Sequence, residues 1–126
     1  MHLIKMTQEF GRGMYASHLL EAGDIVTTCE VLVLSSEDTL KVNQTELKHY
    51  TFVYDESRDC LVLGDGEIFN HSDNPNVAYH LDDFDGRKVM RFVALRIIET
   101  GQQMFTDYNQ DVKVNIEDYK NQKSLI

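Results

Sequence analysis

Phe69-Asn70-His71-Ser72-Asp73-Asn74-Pro75-Asn76-Val77 is the stretch on which the reading of this chain turns. It holds the only proline of the sequence and an Asn-His pair that no hydrophobic periodicity explains. Asn, Ser and Asp side chains hydrogen-bond to nearby backbone, so the run is a good turn former in its own right. His71 and Asp73 are metal-ligating residue types, yet no His-x-x-x-His or similar spacing accompanies them, and no metal is expected. On the residues alone, a structural turn and one wall of a functional site both stay open. A second polar-aromatic stretch, Thr106-Asp107-Tyr108, lies near the end of the chain.

Working outward, Thr51 to Tyr54 and Cys60 to Leu63 are two short apolar runs separated by the polar Asp55–Asp59 turn, and they predict a hairpin. Gly64-Asp65-Gly66 breaks that pattern just before the Asn-His run. Downstream, Val77 to Leu81 and Lys88 to Leu95 alternate on either side of a segment ending in Asp85-Gly86, a strong hairpin turn signal. The aspartates of that segment lack the ligand spacing and terminal glutamate of a calcium loop. Towards the N-terminus, His2 to Met6 predicts an opening strand, and Gly11-Arg12-Gly13 predicts a tight turn where backbone approaches a ligand. Met14-Tyr15-Ala16 resumes an extended piece, Gly23-Asp24 is a turn, and Ile25 to Leu34 is the longest β-type run. Its apolar members Ile25, Cys29, Val31 and Val33 fall at odd positions and predict one buried face. Ser35 to His49 is polar, with helix starts at Ser36 and Thr45. Glu99 to Gln102 is a turn, Met104 to Tyr108 a strand, and Ile116 to Lys120 one or two helical turns. Many short strands with glycine turns and little helix predict a mostly β fold of small sheets.

A chain of 126 residues is enough for one core and too short for two, so residues 1–126 read as a single domain without internal repeat or linker. No apolar run approaches the roughly 18–20 residues a membrane span needs, and the N-terminus lacks a secretory pattern. Cys29 and Cys60 are the only cysteines and form no Cys-x-x-Cys unit. They fit free thiols in a reducing compartment, which makes the expected location cytoplasmic, or the host cell if the source is viral. The formal charge of −9 argues against a broad nucleic-acid face and suits either a lysine-rich partner or simple solubility.

Neither Gly11-Arg12-Gly13 nor Gly64-Asp65-Gly66 has the further glycine, lysine or helix of a nucleotide-binding loop, and no Gly-x-Ser-x-Gly is present. Three pieces taken together say more. Gly11-Arg12-Gly13-Met14-Tyr15-Ala16 is followed by Glu21-Ala22-Gly23-Asp24-Ile25-Val26. The run Phe69-Asn70-His71-Ser72 continues to Pro75-Asn76-Val77, and Gly101-Gln102-Gln103-Met104-Phe105-Thr106-Asp107-Tyr108 closes the series. In this order and spacing they resemble the SET domain of protein-lysine methyltransferases, over about residues 11–108. Each resembles a family motif: the opening Gly-x-Gly, the Asn-His-Ser with its Pro-Asn sequel, and the closing Gly-Glu-Glu-Leu-x-x-Asp-Tyr. In the last, Gln102 and Gln103 replace both glutamates.

The resemblance implies a β-clip type fold with few short helices and a C-terminal pseudoknot, which would bring the Asn-His-Ser and Asp-Tyr stretches together. It implies S-adenosylmethionine as methyl donor and a lysine amine of a basic protein, histone-like or other, as acceptor. Such a transfer is an in-line displacement that needs alignment and oriented dipoles rather than a metal or a covalent enzyme intermediate. The acceptor must be a neutral amine although free lysine has a pKa of roughly 10.4, so a desolvating channel beside a cation is required.

By the family's pattern Tyr108 is the catalytic tyrosine, orienting methyl and amine with its hydroxyl, with Tyr79 as a second hydroxyl that limits how many methyls are added. Arg12, Gly13, Met14 and Tyr15 approach the donor largely through main chain. Asn70 holds its amino-acid part, His71 its adenine through backbone groups, and Tyr108 lines the point of transfer. Tyr50, Tyr54, Tyr79 and Thr106 form the lysine channel; Phe52 is a further wall or a core residue. Thr106 stands where many members carry an aromatic residue, which leaves more room and points to multiple methylation. The cysteine-rich zinc segments that flank many SET domains are absent, so the tail 109–126 is expected to close the site, with Ile116 and Tyr119 as its apolar contacts, or a second subunit does so. Small viral and bacterial members of this minimal type include dimers, which makes a homodimer one expected arrangement. The alternatives are a non-catalytic SET-like module that grips peptide or cofactor without turnover, and methylation of a non-protein amine.

Overall fold

The computed structural model describes residues 2–123. In chain order the strands are β1 (Leu3–Thr7), β2 (Gly11–Tyr15), β3 (Ile25–Val33), β4 (Thr51–Val53), β5 (Asp59–Val62), β6 (Asn70–His71), β7 (Val77–Phe84), β8 (Arg87–Ala94) and β9 (Gln103–Thr106). The helices are α1 (Ser36–Val42) and α2 (Ile116–Lys123). They build a four-stranded sheet in the order β1-β2-β9-β6 and a five-stranded sheet in the order β4-β5-β3-β8-β7. The expectation of a mostly β fold in small sheets with few short helices is met.

Local sequence explains most of these elements. The β7–β8 hairpin turns at Asp85 and Gly86, with φ of 51° and 75°. Two left-handed residues in succession match the twist of the flanking strands, which is why Asp-Gly sits there. The expected hairpin at Thr51 to Leu63 is β4 paired antiparallel with β5. Helix α1 starts at Ser36 as expected; the residue before it, Ser35, is its cap, and the Ser35 hydroxyl accepts from the Asp38 N–H at 3.0 Å. The single buried residue of α1, Thr39, accepts the Asp59 N–H at 3.0 Å and docks the helix on the start of β5. Thr45 caps a 3-10 turn at Glu46–Tyr50 that delivers the chain into β4.

Two local expectations are corrected. Gly11-Arg12-Gly13 is not the turn but the first half of β2, paired with Thr7, Met6 and Lys5 of β1. The turn lies just before it, where the Thr7 hydroxyl accepts the Phe10 N–H at 2.8 Å. In β3, Ile25 is 55% exposed while Val26 and Cys29 are buried. A bulge between Ile25 and Thr27 causes this: on β8 these two residues pair with Val93 and Phe92, so Val26 is the extra residue. One inserted residue reverses the inward-outward alternation beyond it.

The core lies between the sheets, and Met14, Phe69, Val77, Tyr79, Phe92 and Met104 are among its members. The Phe69 and Phe92 rings stack with centroids 5.0 Å apart. A smaller cluster, Ala78 with Leu95 and Tyr119, takes Val114 and Ile116 against it and seats the tail on the outer side of β7. Both apolar residues singled out in the tail therefore pack; positions 124–126 of that tail, and residue 1, lie outside the described residues.

Strand β9 is inserted between β2 and β6, two strands from much earlier in the chain. Beyond β9 the chain runs along β7, where the Leu81 N–H donates to the Val112 carbonyl at 2.8 Å. The C-terminal segment is thus laid between β2 and β6 and along β7, which brings the Asn-His-Ser and Asp-Tyr stretches together as expected.

Candidate functional site

The two stretches set apart in the sequence meet through main chain. Asn70 and His71 of β6 pair in parallel with Phe105 and Thr106 of β9. The Ser72 N–H extends the ladder to the Thr106 carbonyl at 2.9 Å. Asn76 then clasps the same strand from the loop: its amide donates to the Gln103 carbonyl at 3.0 Å and its oxygen accepts the Phe105 N–H at 2.8 Å. Asn76 is buried, so both bonds are sheltered from water. The turn reading holds too, since the Ser72 hydroxyl accepts the Asn74 N–H at 3.0 Å and Arg96 caps the Pro75 carbonyl at 2.7 Å. The run is a turn and, through Phe69 and Asn70, also part of a cleft wall.

His71 ties the wall to Tyr108. Its Nδ1 accepts the Tyr108 N–H at 3.0 Å, and its Nε2 lies 2.8 Å from Asp73 Oδ1. Accepting at Nδ1 leaves the proton of the neutral ring on Nε2, which donates to Asp73. Asp107 is buried beneath; its carboxylate accepts from the Asn109 N–H at 2.9 Å and the Tyr119 hydroxyl at 3.0 Å, and its carbonyl takes the Tyr79 hydroxyl at 2.9 Å. The backbone before Tyr108 is therefore held by a histidine, two tyrosines and its own carboxylate.

Tyr108 itself is 57% exposed, and its hydroxyl donates to the Phe69 carbonyl at 2.6 Å. Burial, with the nearby Glu67 and Tyr50, raises its pKa above the usual tyrosine value, so the hydroxyl is a donor at neutral pH. Its oxygen keeps lone pairs for a further partner.

Around these groups lies a cleft of about 1090 Å³. Among the sequence-predicted site residues, Arg12, Asn70, Tyr50, Phe52, Tyr54, Tyr79, Thr106 and Tyr108 line it, so the cleft joins both motif regions to the aromatic strand β4. Tyr50 accepts from Arg12 Nη2 at 3.5 Å, and Tyr79 packs edge-on against Phe52 with ring centroids 5.1 Å apart. Lys113 sits over the Tyr54 ring at 4.8 Å. Tyr79 is almost wholly buried and, with its hydroxyl committed to the Asp107 carbonyl, has its pKa pushed up first by burial and then by the Asp107 charge. Gln110, inside the same wall, donates its side-chain amide to the Tyr79 carbonyl.

Other predicted residues lie behind the wall rather than in it. Met14 faces a separate cavity of about 280 Å³ with His2, Val26 and Phe69. Tyr15 carries Lys5 over its ring at 5.4 Å and lines neither cavity. Gly13 is there for close approach: a Cβ would lie 2.6 Å from Gln103 Oε1 and 3.1 Å from Asn70 Nδ2. That absent Cβ makes room for the Asn70 amide, which donates to the Arg12 carbonyl at 2.9 Å and to Gln103 Oε1 at 3.0 Å. With the NH2 committed, the amide oxygen is the part of Asn70 left to receive a donor.

Sequence reasoning missed Glu67. It follows the 3-10 turn's Asp65 and Gly66, lines the cleft, and accepts the Val62 N–H at 3.1 Å through Oε1. Burial raises its pKa to about 7. A glutamate in a Gly-Asp-Gly loop has the composition of an exposed turn, and no local signal marks it as enclosed.

Comparison with known proteins bears on this geometry. The SET domain family model matches residues 11–109. A Schizosaccharomyces pombe protein named histone-lysine N-methyltransferase, H3 lysine-37 specific, is 32% identical over 106 residues, covering 83% of this chain and 71% of its own. Among solved structures, a Plasmodium falciparum candidate histone methyltransferase superposes with a TM-score of 0.73 at 20% identity, over 87% of this chain and 94% of that one. A Cryptosporidium SET protein gives 0.69 at 22% identity over 90% of this chain, which spans 59% of the other's length.

Proposed function

The chain belongs to the SET-domain family of lysine methyltransferases, and from that premise we propose that it moves a methyl group from S-adenosylmethionine to a lysine amine of a basic protein. The observation that carries the reading is the β6–β9 pairing. It places Asn70 and Tyr108, 38 positions apart in the chain, on the wall of one cleft.

The residues present fit the donor. The Asn70 oxygen is oriented by two bonds from its own NH2 and suits the ammonium of an amino-acid moiety. Gly13 clears the approach to it. Phe10, half exposed at the cleft edge, offers an aromatic surface for a base. The cleft exceeds the few hundred Å³ of a typical small-ligand site and has room for a donor and a lysine side chain together. When bound, the donor supplies an electrophilic methyl on a sulfonium.

The chain's own part is alignment. Tyr108 presents a neutral hydroxyl whose proton is committed to the Phe69 carbonyl, so its oxygen faces the site as an oriented acceptor dipole. The Asp107 network fixes the backbone behind it. Tyr50, Phe52 and Tyr54 desolvate an entering side chain and lower the cost of its neutral form. The net charge of −9 favours a basic substrate, and the relative's name makes a histone the first to try.

Calorimetry with S-adenosylmethionine and transfer of labelled methyl to recombinant histone H3 and to a cell lysate test the reading. Tyr108→Phe is expected to lower turnover by about a hundredfold while donor affinity changes by less than about threefold and the fold persists, since only one hydrogen bond of about 1 kcal/mol is lost. Full activity in that variant refutes the assignment. Tight donor binding without transfer to anything in the lysate would indicate a binding module instead.

A further inference from the structure

Glu67 has no place in the family pattern described above, yet it is held in the wall of the cleft. Its carboxylate accepts one neutral N–H, from Val62, and no cation among the described residues contributes to its environment. A carboxylate withdrawn from water with a single neutral donor is costly, and glutamine would accept the same N–H without the charge. Such an acid makes sense when the cation that completes it arrives with a ligand.

The position says which ligand. Glu67 and Tyr108 line the same cleft, and the Tyr108 hydroxyl is bonded at 2.6 Å to the carbonyl of Phe69, two residues beyond Glu67. Its carboxylate is anchored to the end of β5 by the Val62 N–H and shares the cleft wall with the tyrosine assigned to methyl transfer. The natural receptor for the donor's ammonium is instead the Asn70 oxygen, oriented by the bonds its own NH2 donates to the Arg12 carbonyl and Gln103 Oε1.

We propose that Glu67 binds the incoming lysine as an ammonium ion and accepts its proton before methyl transfer. This rests on the lysine-methylation reading. One N–H bond breaks and one O–H bond forms: the nitrogen keeps the electron pair and becomes the neutral nucleophile, and the carboxylate becomes a carboxylic acid. The proton then leaves Glu67 to water through the open mouth of the cleft. An acid near pH 7 is a far better match to a desolvated ammonium than an ordinary carboxylate near 4.3. Other titratable groups line the same cleft: Tyr79 on β7, Lys48, His49 and Tyr50 on the 3-10 turn, Tyr54 and Asp55 after β4, Tyr108 after β9, Arg12 on β2, and Asp111 and Lys113 in the tail; Cys60 of β5 is buried outside that lining. Asp65 lies on the segment that carries Glu67. Glu67 is the one among them whose carboxyl is raised into the neutral range.

The test uses the whole chain, its Glu67→Gln variant, histone H3 peptide as acceptor at saturating donor, and n-butylamine as a minimal lysine side chain. In the wild type, kcat/KM for peptide is expected to rise through pH 7. Glu67→Gln is expected to lose that limb and about a hundredfold in kcat/KM at pH 8, with donor affinity by calorimetry within about threefold. Without any donor, the Glu67 carboxyl carbon in NMR is expected to titrate near neutral pH and to shift its midpoint downward with n-butylamine. Unchanged acceptor kinetics and pH profile in Glu67→Gln overturn the inference. So does a loss confined to donor affinity, which would assign the carboxylate to the donor's ammonium. A chain that transfers methyl groups while its Glu67 carbon ignores n-butylamine overturns the role of Glu67 alone. A Glu67 response with no transfer to any amine overturns the activity reading and keeps the ammonium site.

Discussion

Glu67 and Asn70 stand three positions apart and show how differently the cleft treats two polar side chains. The Glu67 pKa is raised from its ordinary value to about 7. Between the unfolded value near 4.5 and that folded value, the native chain holds a proton the unfolded chain has released. Stability contributed by this group is therefore full below about pH 4.5, falls as pH rises, and levels off above about 7. Glu67→Gln removes the charge, so the variant is expected to be more stable than the wild type by about 1–2 kcal/mol at pH 8, after allowance for partial solvent access. It should match the wild type at pH 4.5. Urea unfolding at the two pH values checks this, and a wild type more stable at pH 8 would show that a cation already neutralises the group. Asn70 is satisfied on its donor side, so Asn70→Ala has two expected effects: about 1–2 kcal/mol of lost stability, and donor affinity weakened at least tenfold by calorimetry. Unchanged affinity would remove Asn70 from the site. Asn70 was legible because it stands in a motif. Glu67 was not, because its enclosure is conferred by Val62 and Tyr108, which only folding brings beside it.

At the scale of elements, β6 is two residues long and could not persist on its own backbone bonds. It survives because Asn76 joins the loop after it to β9 through both ends of one amide. Asn76→Ala leaves the Phe105 N–H and Gln103 carbonyl without that partner in a buried setting, and is expected to cost about 2–4 kcal/mol and to cut methyl transfer, read by thermal unfolding and by activity. A near-neutral result would mean that β6 is held by its two-residue ladder alone. The hairpins were readable because their signals are local: Asp85-Gly86 needs only its own dihedral angles. The Gly11–Gly13 segment misled for the complementary reason. Glycine marks both turns and close packing, and here Gly13 is small because Gln103 and Asn70 lie against it, a fact set by strands 57 and more positions away. The bulge in β3 was equally hidden, because Val26 and Ile25 are interchangeable by hydropathy and only pairing with β8 decides which turns inward.

Over the whole molecule, the question is what closes the site where other members carry metal-bound segments. The described part of the tail lies in the right place: Asn109 to Lys113 line the cleft, and Tyr119 of α2 is buried with its hydroxyl on Asp107. Burial and that bond push the Tyr119 pKa up, so it donates throughout the physiological range. Tyr119→Phe keeps the packing and removes one donor to Asp107; it is expected to cost about 1–2 kcal/mol and to lower turnover more than it lowers donor affinity, because Asp107 precedes Tyr108. Loss of stability with no change in turnover would reduce the tail to packing alone. The order and spacing of three short motifs, two hairpin turns and the prevalence of short β-type runs determined the family and the fold class from sequence alone and marked the two stretches of the candidate site, since each depends on residues within a few positions of one another. Only the tertiary structure decided how the Asn-His wall is fastened to Tyr108, which glycine serves close packing, and that a carboxylate stands enclosed beside the tyrosine. Those properties are made by contacts between β5, β6, β9 and α2, and the free energy of such contacts depends on burial and distance that no local stretch of chain contains.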